Sequence, residues 1–135
     1  MNKIYDVFLN YAKNNFKRNL SWLDRDIDSP TYGSFDRNYW HYKITDFNSD
    51  ILQQGIYTLI SLYKGHIPNN YDKSKIKELI LSATTFVIKS FKKNNLFNEY
   101  YPNEDGYPPK AFTSNLLGDI FNEFPDFLNL SDFKD

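Results

Sequence analysis

Between Asn2 and Lys17 the apolar residues Ile4, Val7, Phe8, Tyr11, Ala12 and Phe16 recur at steps of three and four. That period belongs to one face of a helix, with Lys13, Asn14 and Lys17 turned outward. A second stripe, Leu52, Ile56, Leu59, Ile60 and Tyr63, predicts a helix over Ser49–Lys64, capped by the side chain of Asn48 or Ser49. Gly65 supplies its left-handed stop and Pro68 prevents it from resuming. A third stripe, Ile76, Leu79, Ile80, Ala83, Val87 and Phe91, predicts a helix over Lys73–Lys93 with Asp72 as its cap. The fourth helix starts near Lys110, carries Ala111, Leu116, Leu117, Ile120, Phe121 and Phe124, and stops before Pro125. Phe127, Leu128, Leu130 and Phe133 provide for one more short turn or helix.

No strand-type alternation competes with this pattern, so the expected fold class is all-α, with four to five helices. The short connection between the second and third helices implies an antiparallel hairpin. Two stretches have no sustained period. Leu20–Thr45 contains the turn signals Asp28-Ser29-Pro30 and Tyr32-Gly33, and Asn94–Pro109 reads as a second loop of similar chemistry. An irregular connection as long as the first is uncommon inside a compact domain and is usually functional or disordered. Its aromatic content argues for order.

At 135 residues, the length fits one domain with a single real core. Aromatics make up 19% of the chain, with Phe 12 and Tyr 11, so rings should fill that core as much as aliphatic side chains. Lys+Arg 16 against Asp+Glu 17 leaves no basic field for nucleic acid. With Cys 0 there are no disulfides and no thiolate metal sites. His41 and His66 have no paired ligand motif, so no metal and no cofactor is expected. No apolar run approaches the roughly 20 residues that cross a bilayer. The N-terminus shows no apolar signal-peptide core, so no membrane partner and a cytoplasmic location are expected.

The run from Gly33 to Asp46 concentrates the unusual chemistry: Phe35, Tyr39, Trp40 and Tyr42 beside Asp36, Arg37, His41, Lys43 and Asp46. Aromatic faces next to fixed charges suit a polar, ring-shaped ligand such as a sugar. The plainer reading is an ordered loop, with Asp36 and Asp46 as turn or helix caps and the aromatics plugging the end of a helical core.

Three runs together resemble the start of bacterial heparinase II/III-like proteins. They are Gly33-Ser34-Phe35-Asp36-Arg37-Asn38-Tyr39-Trp40-His41-Tyr42-Lys43 with Asp46-Phe47, then Gln53-Gln54-Gly55 with Leu62-Tyr63, then Asn98-Glu99-Tyr100-Tyr101-Pro102-Asn103-Glu104 with Ala111-Phe112-Thr113. The resemblance implies an (α/α) toroid, here a partial ring of helical hairpins. Residues 1–135 would then be a single helical domain, or a piece of a larger toroid. Asp105-Gly106-Tyr107-Pro108-Pro109 departs from the more helix-friendly run expected there.

For polysaccharide lyases of this type the family implies removal of the uronate C5 proton followed by β-elimination. That chemistry needs a base, an acid for the leaving oxygen, and partners for the carboxylate. Tyr39, His41, Tyr100 and Tyr101 are the base and acid candidates, Arg37, Asn38 and Asn103 the carboxylate partners, and Trp40 a stacking face. Lys43 joins the binding set. An inverting glycosidase would instead pair Asp36 or Asp46 with Glu99 or Glu104 at about 6.5–9.5 Å. In the plainer reading these glutamates are solvated or paired with Arg37 or Lys43. The expected partner is a polysaccharide or oligosaccharide. The alternative is a non-catalytic carbohydrate-binding or protein-interaction domain. Removal of neighbouring hairpins would leave an apolar flank on the fourth helix and the Phe127–Phe133 tail, favouring a homo-oligomer.

Overall fold

The computed structural model describes residues 3–94 and 96–129, which are helical or irregular, with no strand among them. Helix α1 spans Lys3–Leu20, α2 Arg37–Trp40, α3 Ile56–Tyr63, α4 Lys73–Asn94 and α5 Tyr107–Glu123. Short 3-10 turns at Ile51–Gly55 and Pro125–Asn129 lead into α3 and follow α5.

The core forms where α3 packs on α4 and α5 packs against the turn ahead of α3. Ile56, Leu59, Ile60 and Leu62 of α3 are buried with Ile76, Ile80, Ala83 and Val87 of α4 and with Leu116 and Ile120 of α5. Each large aliphatic side chain removed from water contributes about 1.5–3 kcal/mol, and these stripes hold the helices together. The expected cap of α4 is present, since Asp72 Oδ1 accepts the Ser74 N–H at 2.8 Å. Gly65 ends α3 at φ +76°.

Four expectations need correction. The outer half of the α1 stripe does not face the core: Ile4, Val7, Phe8 and Tyr11 are 65–69% exposed. Ala12, Phe16 and Leu20 pack on the core instead. These three form an i, i+4, i+8 line on a different side of the helix, and a three-and-four count merges the two lines. Second, neither Asn48 nor Ser49 caps the second helix. It opens as a 3-10 turn behind Asp50, which makes no side-chain cap bond. Third, α5 starts at Tyr107 rather than Lys110, with prolines in its first turn. A missing N–H costs nothing there, because first-turn N–H groups have no intrahelical acceptor. Fourth, Phe127 is not an exposed flank. It is 3% exposed and stacks on Phe124, ring centroids 5.1 Å apart. Leu130 and Phe133 lie outside the described residues, as does Asn2. Within the other stripes, Phe91 and Ala111 face outward, Phe91 stacking on Phe97 at 4.8 Å.

The first irregular segment is pressed onto the helices by two glycines. Gly33 lies at φ +95°, and a Cβ there would sit 2.5 Å from the Ser82 carbonyl oxygen on α4. Gly55 lies under the ring of Phe35, where a Cβ would meet Cε1 at 2.6 Å. Phe35 itself is 1% exposed. No described helix is long and apolar enough to cross a membrane.

Candidate functional site

Three buried aspartates shape the segment between α1 and α3. Asp24 accepts hydrogen bonds from the Ser29 and Thr31 hydroxyls at 2.6 and 2.7 Å and from the Asp26 N–H at 3.1 Å. Its backbone pairs with that of Gly33 and Ser34, closing a loop. Asp36 accepts the Asn38 N–H at 3.0 Å with one oxygen and the Ser49 N–H at 2.8 Å with the other. It is thus both the cap of α2 and the strap that returns the chain toward α3. Gln53 completes the clamp by accepting the Phe35 N–H at 3.0 Å and donating to the Ser49 carbonyl at 3.1 Å.

Asp50 joins the two irregular segments. Its Oδ2 accepts the Asn98 N–H at 2.7 Å, and its own N–H donates to the Asn98 carbonyl at 2.8 Å. Oδ1 accepts the Asn48 amide at 3.0 Å, and Asn48 Oδ1 accepts the Ser90 hydroxyl of α4 at 2.8 Å. Burial pushes the Asp50 carboxyl up to about 6, against the opposing pull of the Asn98 and Asn48 hydrogen bonds. A carboxylate taken out of water resists ionisation, and two donated hydrogen bonds only partly compensate.

Above this chain lies a cleft of about 650 Å³. Tyr39, Asp46, Phe47 and Asn48 line it from the first segment, and Asn98, Pro102 and Asn103 from the second. Helix α4 supplies the floor, including Ser82, Thr85, Phe86, Lys89, Ser90 and Lys93. The Tyr39 and Phe86 rings stand 6.5 Å apart at 49°. A second recess of about 790 Å³, bounded by Trp40, Lys43 and Thr45, shares Ser29, Pro30, Tyr39, Asp46 and Lys93 with the cleft.

Of the thirteen candidate residues named from sequence, Tyr39, Asp46 and Asn103 line the cleft, and Trp40 and Lys43 border the recess. Asn103 and Lys43 stand at positive φ, +62° and +53°. Trp40 also has a structural task, its indole N–H donating to the Trp22 carbonyl at 2.8 Å. Asp36 is consumed by the cap and strap, as the plainer reading expects.

Arg37 makes no ion pair among the described residues. Its guanidinium lies over the Tyr42 ring at 4.8 Å and the Trp40 ring at 5.9 Å. Its Nε is buried without a hydrogen-bond partner. His41 is exposed between the Trp40 and Tyr42 rings. The Asn38 carbonyl accepts the Ile44 and Thr45 N–H groups.

Glu104 acts inside its own loop. One carboxylate oxygen accepts the N–H groups of Glu99, Tyr100 and Tyr101 at 3.1, 2.9 and 3.3 Å. Those backbone hydrogen bonds hold its carboxyl below the ordinary glutamate value. Tyr100 and Tyr101 point to solvent, 73% and 70% exposed. A hydrogen bond to the Glu99 carboxylate, reinforced by its charge, raises the Tyr100 phenol. Neither change favours proton abstraction at neutral pH, which needs a base with a pKa near the working pH.

Sequence reasoning missed Asp50, Asn48, Phe86 and Ser90. The only local signal is the polar run Asn48-Ser49-Asp50 immediately ahead of an apolar stripe. Among the described residues no cluster of three His, Asp or Glu forms a metal-ligand set. No family profile matches this chain, and no curated protein or solved structure matches it significantly.

Proposed function

We propose that the chain is a carbohydrate-facing helical domain that binds an acidic oligosaccharide in the cleft between its two irregular segments. One observation supports this reading above the rest. The cleft is open and mixed in character, with Tyr39 and Phe86 rings beside hydroxyl, amide, carboxylate and ammonium groups from three parts of the chain. Sugar rings present an apolar face and a polar rim, and such a wall complements both. Lys93, which borders both the cleft and the recess, supplies an ammonium group that a uronate carboxylate would meet, beside the carboxylates of Asp46 and Glu78 in the same lining. A partial (α/α) toroid of antiparallel hairpins, with kinship to heparinase II/III-like proteins, belongs to the same proposal.

Binding without catalysis is the favoured form. Of the four lyase acid and base candidates only Tyr39 lines the cleft, and of the glycosidase carboxylates only Asp46 does, while Glu104 is engaged with three backbone N–H groups. A lyase or hydrolase needs acid and base converging on one reacting point. The test is an NMR titration with a glucuronate-containing tetrasaccharide and a neutral tetrasaccharide of the same length. Shifts should cluster at Tyr39, Phe86, Ser90 and Asn98, and Tyr39→Ala should weaken binding by about 1–2 kcal/mol. Shifts confined to the exposed Tyr100 and Tyr101, or none at millimolar sugar, would end the reading.

A second reading, association through an apolar face, draws on the outer side of α1, where Val7, Phe8 and Tyr11 are exposed. Sedimentation velocity should then show dimers that Phe8→Ser abolishes. A monomer at every concentration removes it.

A further inference from the structure

Behind the cleft wall, Asp50, Asn48 and Ser90 form a chain of hydrogen bonds that can run in two directions. In the ionised state Ser90 Oγ–H donates to Asn48 Oδ1, and Asn48 Nδ2–H donates to Asp50 Oδ1. The far oxygen, Asp50 Oδ2, is held by the Asn98 backbone N–H. A backbone N–H can only donate, and the carbonyl oxygen of a carboxylic acid accepts better than its hydroxyl oxygen, so the Asn98 N–H keeps Oδ2 as the carbonyl. A proton taken up by Asp50 is thereby directed to Oδ1. There it turns Oδ1 into a donor and faces the Asn48 amide N–H with a second donor. The amide resolves the clash by rotating half a turn. It then offers Oδ1 to the Asp50 hydroxyl and Nδ2–H to Ser90 Oγ, which frees the Ser90 hydroxyl proton.

We propose that this chain is a reversible relay through which Asp50 sets the hydrogen-bonding sense of the cleft wall at Ser90, an acceptor when Asp50 is ionised and a donor when it is protonated. The inference rests on the oligosaccharide reading for its ligand, and deepens it by assigning a residue that governs which sugar group the wall accepts. A uronate carboxylate only accepts hydrogen bonds, so it is matched by the donor state. A sugar hydroxyl can satisfy either state.

Asp50 is a positioning residue in this scheme, since it does not line the cleft. It is 2% exposed, and Asn48, Ser90 and Asn98, which do line it, all depend on it directly or through one neighbour. Burial places its titration near 6, where few carboxyl groups change charge. The charged groups lining the cleft in front of the relay are Glu78, Lys89 and Lys93 from α4 and Asp46 from the first segment, and Glu104 stands beside it in the second. Glu104 meets it through its N–H to Asn98 Oδ1 at 3.3 Å. The proton comes from solvent and returns to it, so no other reactant is required.

The experiment has one arm without ligand and one with it. In the free protein, the Asn48 side-chain amide and the Asn98 backbone N–H are followed by NMR from pH 7.5 to 4.5. They should titrate together with a midpoint near 6, the Asn48 resonances moving most. If they stay fixed through that range the relay is wrong, whatever the cleft binds. In the second arm the glucuronate tetrasaccharide is titrated at pH 7.5 and pH 5. Affinity should rise about three- to tenfold in acid, the worth of roughly one hydrogen bond.

Asp50→Asn fixes the acid-like direction, with its own Oδ1 accepting from Asn98 and its Nδ2 donating to Asn48. It should bind at the acid level at both pH values. Ser90→Ala covers a misfolded Asp50 variant: it keeps the Asn48 titration and loses the pH dependence of binding. A pH dependence of binding that survives Ser90→Ala overturns the relay. Absence of sugar binding beside a clear Asn48 titration sinks the ligand reading and leaves the relay standing.

Discussion

Gly33→Ala tests the contact that holds the first irregular segment on α4. Two costs add at this position. A side chain at φ +95° meets a left-handed backbone penalty of about 1–2 kcal/mol. The new Cβ would also lie 2.5 Å from the Ser82 carbonyl oxygen and 2.6 Å from its carbon. Both are backbone atoms of a helix that cannot swing aside, and overpacking of this kind costs about 1–3 kcal/mol. Alanine restricts the unfolded chain and returns about 0.4–1 kcal/mol. The net loss is about 1–4.5 kcal/mol, with a central value near 3. Gly65→Ala is the internal control, because Gly65 lies at φ +76° and a Cβ added there would meet nothing within 4 Å. It bears the dihedral penalty alone, about 0–1.6 kcal/mol after the same offset. Urea unfolding of parent and both variants measures the difference, and thermal midpoints should fall by about 3–5 °C per kcal/mol at this size. If Gly33→Ala unfolds at the same urea concentration as Gly65→Ala, the close approach to Ser82 carries no energy and the loop is not pressed onto the helix.

Three further outcomes follow from the geometry. Phe8→Ser should change stability by less than about 0.5 kcal/mol while Phe16→Ser costs about 1–2, and equal losses in urea unfolding would contradict the division of α1 into an outer and an inner face. Glu104 has a lowered carboxyl, so its contribution is present above the ordinary glutamate value of 4.5 and is lost as the pH falls below it. Amide protection at Glu99, Tyr100 and Tyr101 should drop over that range, and flat protection factors down to pH 3 would refute the loop clasp. Asp50 has the opposite sign, since a carboxyl raised from 3.8 to about 6 binds its proton more tightly in the folded state. Its contribution is fully present below 3.8 and lost as pH rises through about 6. The parent should therefore gain on the order of 2–3 kcal/mol relative to Asp50→Asn between pH 7.5 and pH 4, and a constant gap would refute the burial argument.

The helices were legible wherever one face is buried along the whole element, as with Ile76, Ile80, Ala83 and Val87 of α4. Periodicity misread α1 because Ile4, Val7, Phe8 and Tyr11 make as good a stripe as Ala12, Phe16 and Leu20, and a stripe does not say which side meets the core. It misread the start of α5 because Pro108 and Pro109 signal a loop when seen alone, and a first helical turn only when a helix follows. In the cleft, Tyr39 and Asn103 stood out because rings, amides and turn residues cluster in their runs. Asp50 did not, because its significance comes from burial and from Asn98, a residue in another segment altogether. A carboxylate ahead of an apolar stripe reads as an ordinary cap until the chain folds over it.

The pairing of Asp50 with Asn98 also constrains the order in which the molecule assembles. Both α3 and α4 lie between these residues, so joining them closes a loop that contains the central helix pair. Closing such a loop through an unstructured chain costs entropy that only a few hydrogen bonds would reward. Once α3 and α4 have packed, most of that loop is already ordered and its ends have been carried close together. The scaffold is therefore expected to form first and the cleft last, as a late, non-local step. Substitutions in the Asp50–Asn98 clasp should accordingly speed unfolding while leaving the folding rate almost unchanged.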